Sequence, residues 1–280
     1  MLCKTSLNLL CALAISSTSV FASNIDLTTA GATSGVKLSA SGDNFIVTQI
    51  APQSTGTGVI DSFLRVQSNG NEQGYNTSLG TPFDDKGGSF TRALLLSEVP
   101  TVNLGGVDYY QFLLDINQTN ASGLLSLNQI QLFTSSADRV DGAVTLNGTE
   151  PHLSFPAIGS TTEQFTLSST FSNPFDIALN YNLNPGSGAG DMFFYVAKSG
   201  ITPLAGQTFV ILYSQFGNPP GANGTNDGFE EWAVLKPTGT TCPPEQCQVN
   251  PVVPEPASLL LLGSGLVFGV RRVRRKKTTE

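Results

Sequence analysis

Along residues 24–236 short apolar runs alternate with clusters of Gly, Asn, Ser and Pro. That punctuation belongs to strands and turns. Ten runs predict strands: Asn44–Ile50, Val59–Val66, Phe90–Leu96, Val107–Ile116, Ile130–Phe133, Gln164–Phe171, Phe175–Leu183, Asp191–Ala197, Thr208–Phe216 and Phe229–Leu235. They are rich in Val, Ile, Leu, Phe and Tyr, the residues that fit a pleated surface. Gln164-Phe165-Thr166-Leu167 alternates at period two, as a half-buried strand does. Asn184-Pro185-Gly186-Ser187-Gly188-Ala189-Gly190 reads as a loop. Away from the two ends no window carries an apolar stripe of helical period. No repeat of fixed period argues for a solenoid or propeller. The pattern predicts an all-β chain with a single β-sandwich, jelly-roll-like, over residues 23–236.

The ends have a different pattern. Lys4, the apolar Leu7–Ile15 and the small-x-small site Val20-Phe21-Ala22 read as a signal peptide over residues 1–22, with Ser23 as the mature start. Cys11 lies inside the apolar region after Leu10, which argues against lipidation. At the other end Val253-Pro254-Glu255-Pro256-Ala257-Ser258 precedes an apolar run from Leu259 to Val270, and six of the seven residues 271–277 are basic. Ala257–Val270 would make about 21 Å of helix, shorter than the usual bilayer span of about 20 residues. Gly263, Gly265 and Gly269 weaken it further. The basic cluster holds that end on the cytoplasmic side, which puts the body outside. Pro254 and Pro256 favour an extended segment that a protease cleft can take.

A Pro-Glu-Pro, a short apolar helix and a basic terminus in that order resemble the PEP-CTERM sorting tail of exported proteins in Gram-negative bacteria. The resemblance covers residues 253–280. It implies a surface protein associated with biofilm or exopolysaccharide, held briefly at the inner membrane until an exosortase, a membrane protease, removes the tail. The body is similar to a recurrent, uncharacterised kind of PEP-CTERM protein through Arg92–Pro100, Gly106–Gln118 and Asn226–Trp232. That similarity implies a shared fold and no activity. The same tail type is sometimes labelled an ice-binding protein C-terminus. Ice binding needs a regular array of threonines, and here Thr28-Thr29, Thr55, Thr57 and Thr161-Thr162 are scattered.

Charge and cysteine usage narrow the classes. Without the two end signals, seven basic residues face nineteen acidic ones, a net charge near −12. Such a body repels nucleic acid. Cys242 and Cys247 are the two cysteines left, within the Pro-rich stalk 237–252, and a small disulfide is the favoured reading. Five Asn-x-Ser/Thr triplets, at Asn76, Asn117, Asn120, Asn147 and Asn223, read as composition.

Catalytic chemistry has little to draw on. The only histidine, His152, follows Pro151 in what reads as a surface loop. There is no Gly-x-Ser-x-Gly elbow, and Gly186–Gly190 lacks the Lys-Ser/Thr of a phosphate loop. Glycoside hydrolysis needs only two carboxylates; the candidates are Asp84, Asp85, Asp115, Asp191, Asp227, Glu230 and Glu231. Glu230 and Glu231 are adjacent in a strand and point to opposite faces. Trp232 shares a face with Glu230 and is the candidate sugar contact, against the plainer reading of a core aromatic. Asp115 and Asn117, and Asp227 in the loop Asn223–Gly228, are candidate calcium ligands, against the favoured reading of Asx turns. No cofactor is required. The expected function is a non-enzymatic cell-surface or exopolysaccharide-matrix protein; the alternative is a carbohydrate-active β-sandwich, lectin-like or hydrolytic.

Overall fold

The computed structural model describes residues 25–38, 44–54, 58–147, 150–156, 160–167, 176–186, 189–217, 224–226 and 228–236. By its internal contacts the chain separates into Met1–Lys236 and Pro237–Glu280. The expected signal peptide, Cys242, Cys247, the motif Val253-Pro254-Glu255-Pro256 and Asp227 lie outside the described residues.

In chain order the strands are β1 (Ile25–Asp26), β2 (Thr33–Leu38), β3 (Asn44–Ser54), β4 (Ile60–Val66), β5 (Asn69–Gly70), β6 (Glu72–Tyr75), β7 (Leu94–Leu95), β8 (Thr101–Leu104) and β9 (Val107–Asp115). They continue with β10 (Leu124–Ser135), β11 (Ala143–Asn147), β12 (Glu150–Ser154), β13 (Thr161–Thr166), β14 (Ile177–Asn180), β15 (Ala189–Ala197), β16 (Phe209–Phe216), β17 (Thr225–Asn226) and β18 (Glu230–Leu235). One sheet runs β1-β14-β10-β16-β6, with β13 also on β10 and β7 also on β16. The other runs β2-β3-β15-β9-β18-β4, with β8 also on β9. Two ribbons, β11-β12 and β17-β5, complete the set. The body is therefore an all-β sandwich.

Side-chain alternation explains how the sheets meet. On β15 Met192, Phe194 and Val196 join the main core, while Phe193, Tyr195 and Ala197 join a second cluster on the outer face. On β9 Phe112 and Leu114 point inward, and Tyr109 and Leu113 outward. Both faces of these strands are buried, which is why their sequences read as continuous apolar runs. From the opposite sheet Leu125, Leu127, Ile130, Leu132, Leu212 and Phe216 fill the same main core. The outer face of that sheet carries Tyr75, Phe133, Ile211 and Tyr213, which pack against Leu153 of β12. Gln129 and Gln131 are fully buried on β10 because the ribbon's backbone satisfies them: Gln129 Nε2 donates to the Pro151 carbonyl at 3.2 Å and the Leu153 amide donates to Gln131 Oε1 at 2.8 Å.

Several expected strands change length, each for a local reason. Of Phe90–Leu96 only Leu94–Leu95 pair as strand. The stretch before them seals the free edge of β4 instead, through Lys86 N–H to Arg65 O at 2.8 Å, Arg92 N–H to Phe63 O at 2.9 Å and Arg65 N–H to Thr91 Oγ1 at 3.0 Å. The run Phe175–Leu183 keeps only Ile177–Asn180 as strand; the Asn180 side chain accepts from the Asn182 amide and turns Tyr181–Leu183 into a 3-10 turn. Ile130–Phe133 is the middle of the twelve-residue β10. His152 lies in β12, not in a loop, because its neighbours pair with β11 over the buried glutamines.

Candidate functional site

At one end of the sandwich the two sheets bring carboxyl groups together. Glu72 on β6 is registered with Phe216, and Glu230 on β18 with Val66, so both point into the space between the sheets. Glu72 is 1% exposed and Glu230 is 0%. Their carboxyls are hydrogen-bonded to each other. Burial pushes Glu72 up to about 11, and the neighbouring Glu230 reinforces it by hydrogen bond and charge. Glu230 is also raised, again chiefly by burial. Two such groups in contact cannot both ionise unaided.

The chain around the pair is built from backbone donors and close approaches. The Ser68 amide donates to Glu72 Oε2 at 2.7 Å. Gln118 Nε2 donates to Glu230 Oε1 at 2.5 Å, and the Asn117 amide donates to the same carboxyl. Thr225 Oγ1 donates to the Ser68 carbonyl at 2.9 Å, the Thr119 amide to Asn226 Oδ1 at 2.8 Å, and Asn226 Nδ2 to the Ser122 carbonyl at 2.7 Å. Gly228 is seated so close to Asn117 that a Cβ there would lie 1.4 Å from its carbonyl oxygen. Only glycine lets the chain enter β18 along that path.

A second acid pair adjoins the first. Asp115 closes β9 opposite Glu231, and Asp191 on β15 accepts the Ile116 amide at 2.8 Å. Burial pushes Asp191 up to about 8, with Asp115 adding to it. Asp115 also raises Glu230 through its charge. Asp115 thus acts by charge on both Asp191 and Glu230, three of the seven carboxylates picked out from sequence. Glu72, which Glu230 contacts, was not among the seven, because Ser68-Asn69-Gly70-Asn71-Glu72-Gln73-Gly74 carries no apolar run. The flanking glycines carried a clue: Gly74 has no side chain because the Asp85 carboxyl occupies that place, with Oδ1 1.6 Å from where a Cβ would stand.

The other candidates have structural work. Glu231 faces outward and pairs with Arg65, whose guanidinium stacks 3.4 Å above Phe90 and 4.1 Å from Phe229; Ser62 Oγ also donates to it, at 2.5 Å. Asp84 Oδ2 accepts the Gln73 amide at 2.9 Å. His152 is half-buried, 3.1 Å from Gln131 Nε2 through Nδ1 and 3.3 Å from Glu163 through Nε2. Among the described residues no group of three or more His, Cys, Asp or Glu side chains has the arrangement of a metal centre. Trp232 is a correction: it is 0% exposed, meets Phe194 edge-on and donates from Nε1 to Ser214 Oγ at 3.0 Å. An indole closed in between two sheets has no face to offer a sugar.

Carboxyls in direct contact leave no room for the water or sugar that glycosidic acid pairs, about 5 Å or more apart, hold between them. No curated protein and no solved structure matches the chain. The family model of the PEP-CTERM protein-sorting motif matches residues 252–276. The chain therefore carries the PEP-CTERM protein-sorting motif, the tail by which an exported protein is handed to an exosortase and sorted to the cell surface.

Proposed function

We propose that the protein is a non-enzymatic component of the cell surface or exopolysaccharide matrix. The sandwich is exported with its sorting tail held transiently at the inner membrane, and the exosortase then cuts the tail away. The match of residues 252–276 to the sorting motif carries this reading. Support comes from the mature body's strong negative charge, which keeps it off nucleic acid, and from the structural engagement of its acids and of its one histidine. The stalk 237–252 closes a small loop through a Cys242–Cys247 disulfide. Intact-mass analysis of surface-extracted protein is expected to find a product ending near Pro256. A mass that retains Arg271–Lys277 would make the tail a plain anchor and overturn the sorting step.

The lectin-like reading has one observation in its favour, at a different residue from Trp232. Phe83 is 43% exposed and holds φ at 61°, a left-handed backbone that a bulky aromatic rarely adopts. Leu79, 60% exposed, and Val140, 45% exposed, are further exposed apolar side chains of this body. A sugar ring stacks on such an aromatic face. Sedimentation with the producer's own exopolysaccharide would then be lost in Phe83→Ala at a temperature where circular dichroism shows the variant folded. Equal sedimentation of wild type and variant would remove this reading. Time-dependent release of reducing ends by the wild type would overturn the non-enzymatic one.

A further inference from the structure

We propose that Glu72 and Glu230 form a proton latch between the two sheets: Glu72 stays a neutral carboxylic acid that donates to the Glu230 carboxylate, and the latch weakens as the pH rises. The two side chains come from opposite sheets, are closed to solvent and are in direct contact. Carboxylates that meet away from water repel each other unless a proton lies between them. Among the described residues Glu72 Oε1 and Glu230 Oε2 are buried with no other hydrogen-bond partner. One O–H···O bond between the glutamates satisfies both.

The donors around the pair decide which glutamate carries the charge. Glu230 accepts from Gln118 Nε2 at 2.5 Å and from the Asn117 amide, and the Glu72 proton makes a third donor. Glu72 accepts the Ser68 amide at 2.7 Å. Bonds donated to a carboxyl favour its charged form, so Glu230 is the carboxylate and Glu72 the acid. The charges that act on the pair keep the proton there. Asp84 acts on Glu72 and Asp115 on Glu230, both of them acids. Glu231, next on β18, turns to the outer face and holds Arg65. The strand partners of the two glutamates, Phe216 and Val66, are apolar. Among the described residues neither glutamate makes an ion pair with Lys, Arg or His. A second negative charge has nothing to meet.

The latch joins segments that share no backbone ladder. Glu72 lies on β6 at the edge of one sheet, and Glu230 opens β18 in the other. The turn at Asn117 and Gln118 and the chain at Ser68 are fastened through the same two carboxyls. Loss of the shared proton puts two adjacent anions between the sheets and drives this end apart. Burial, with the bond and charge of Glu230, pushes Glu72 up to about 11, whereas an unfolded glutamate titrates near 4. The folded value is raised, so its contribution is complete below about pH 4 and is lost as the pH climbs through about 11. Between those limits the folded chain holds a proton that the unfolded chain has released.

Glu72→Gln separates a latch from a packing contact, because the amide still donates to Glu230 but does not titrate. In full-length protein in detergent, the variant's unfolding constant divided by the wild type's is expected to fall about tenfold per pH unit from pH 6 to 9. Packing alone would keep that ratio level and overturn the latch. Carbon-13 in the glutamate carboxyls reads the proton directly. At pH 8 one wild-type resonance is expected at the position of a protonated acid. It should vanish in Glu72→Gln and persist in Glu163→Gln, which removes a second glutamate whose value burial raises. Should Glu72→Gln fail to fold, the wild type and Glu163→Gln decide by that resonance. No protonated glutamate at pH 8, or one that survives Glu72→Gln, would also overturn the latch.

Discussion

Trp232→Ala is expected to destabilise the body by about 3–5 kcal/mol, the cost of deleting a large buried aromatic. The indole is fully enclosed, sits 6.3 Å from Phe194 at 77° and donates to the buried Ser214 hydroxyl. Truncation removes the packing of both sheets around it and deprives Ser214 of its partner. Domains are stable by only about 5–15 kcal/mol, so a loss of this size is a large share of the total. For a body of this length the melting temperature should fall by roughly 10 °C, read by circular dichroism because the variant has no tryptophan. Trp232→Phe, which keeps the ring and drops the N–H, should cost much less. A Trp232→Ala variant that melts like the wild type would mean that the indole is a surface group after all.

The strands of highest apolar content were the legible part of the fold. β9, β15, β16 and β18 lie close to their expected limits because most of their residues are buried on both faces, so the apolar runs mark them out. β6, β8 and the β11-β12 ribbon were not read, since Glu72-Gln73-Gly74-Tyr75 and Glu150-Pro151-His152-Leu153-Ser154 show too little local apolar alternation. Their pairing is decided by what lies beneath them, such as Tyr213 opposite Tyr75 and the amides of Gln129 and Gln131 under the ribbon. Phe90–Leu96 failed for the opposite reason: it looks like a strand locally, but the edge of β4 takes its hydrogen bonds first.

The site was legible in pieces. Asp115, Asp191 and Glu230 stood out as acids at strand ends or in strands, but Glu72 joins Glu230 only through the contact of two sheets whose strands lie far apart in sequence. Gln118 carried no signal of its own in the sequence; its role appears only where its side-chain amide reaches Glu230. Trp232 was ambiguous because a core indole and a sugar-stacking one have the same sequence signature. Burial separates them, and burial is a property of the opposite sheet.

Stability is expected to rise as the pH falls from 8 to 5. Asp85 is 6% exposed and seated over Gly74; burial pushes its carboxyl up to about 9, the charge of Asp84 adds to this, and the Tyr75 amide opposes it. Asp191 is pushed up to about 8, burial again leading. In the unfolded chain such groups titrate near 4. Their folded values are raised, so their contribution is fully present below about pH 4 and is lost as the pH climbs through about 8 to 9. Across that window the folded chain keeps protons that the unfolded chain has released. Each such group changes stability by about 1.4 kcal/mol per pH unit, so Asp85 alone accounts for about 4 kcal/mol between pH 5 and 8. The melting temperature at pH 5 should exceed that at pH 8 by about 10 °C. The carboxyls with lowered values, Asp26 bonded by Thr28 and Asp141 by Arg139, lose their contribution only in stronger acid, so they do not oppose the trend. Asp85→Asn keeps the shape and removes the proton, so it should lessen the dependence, and Asp191→Asn in the same chain should lessen it further; Glu72, pushed up to about 11, supplies a part that both variants keep. A wild-type melting temperature that is level or falls toward pH 5 would mean that Asp85 and Asp191 are ionised in the fold.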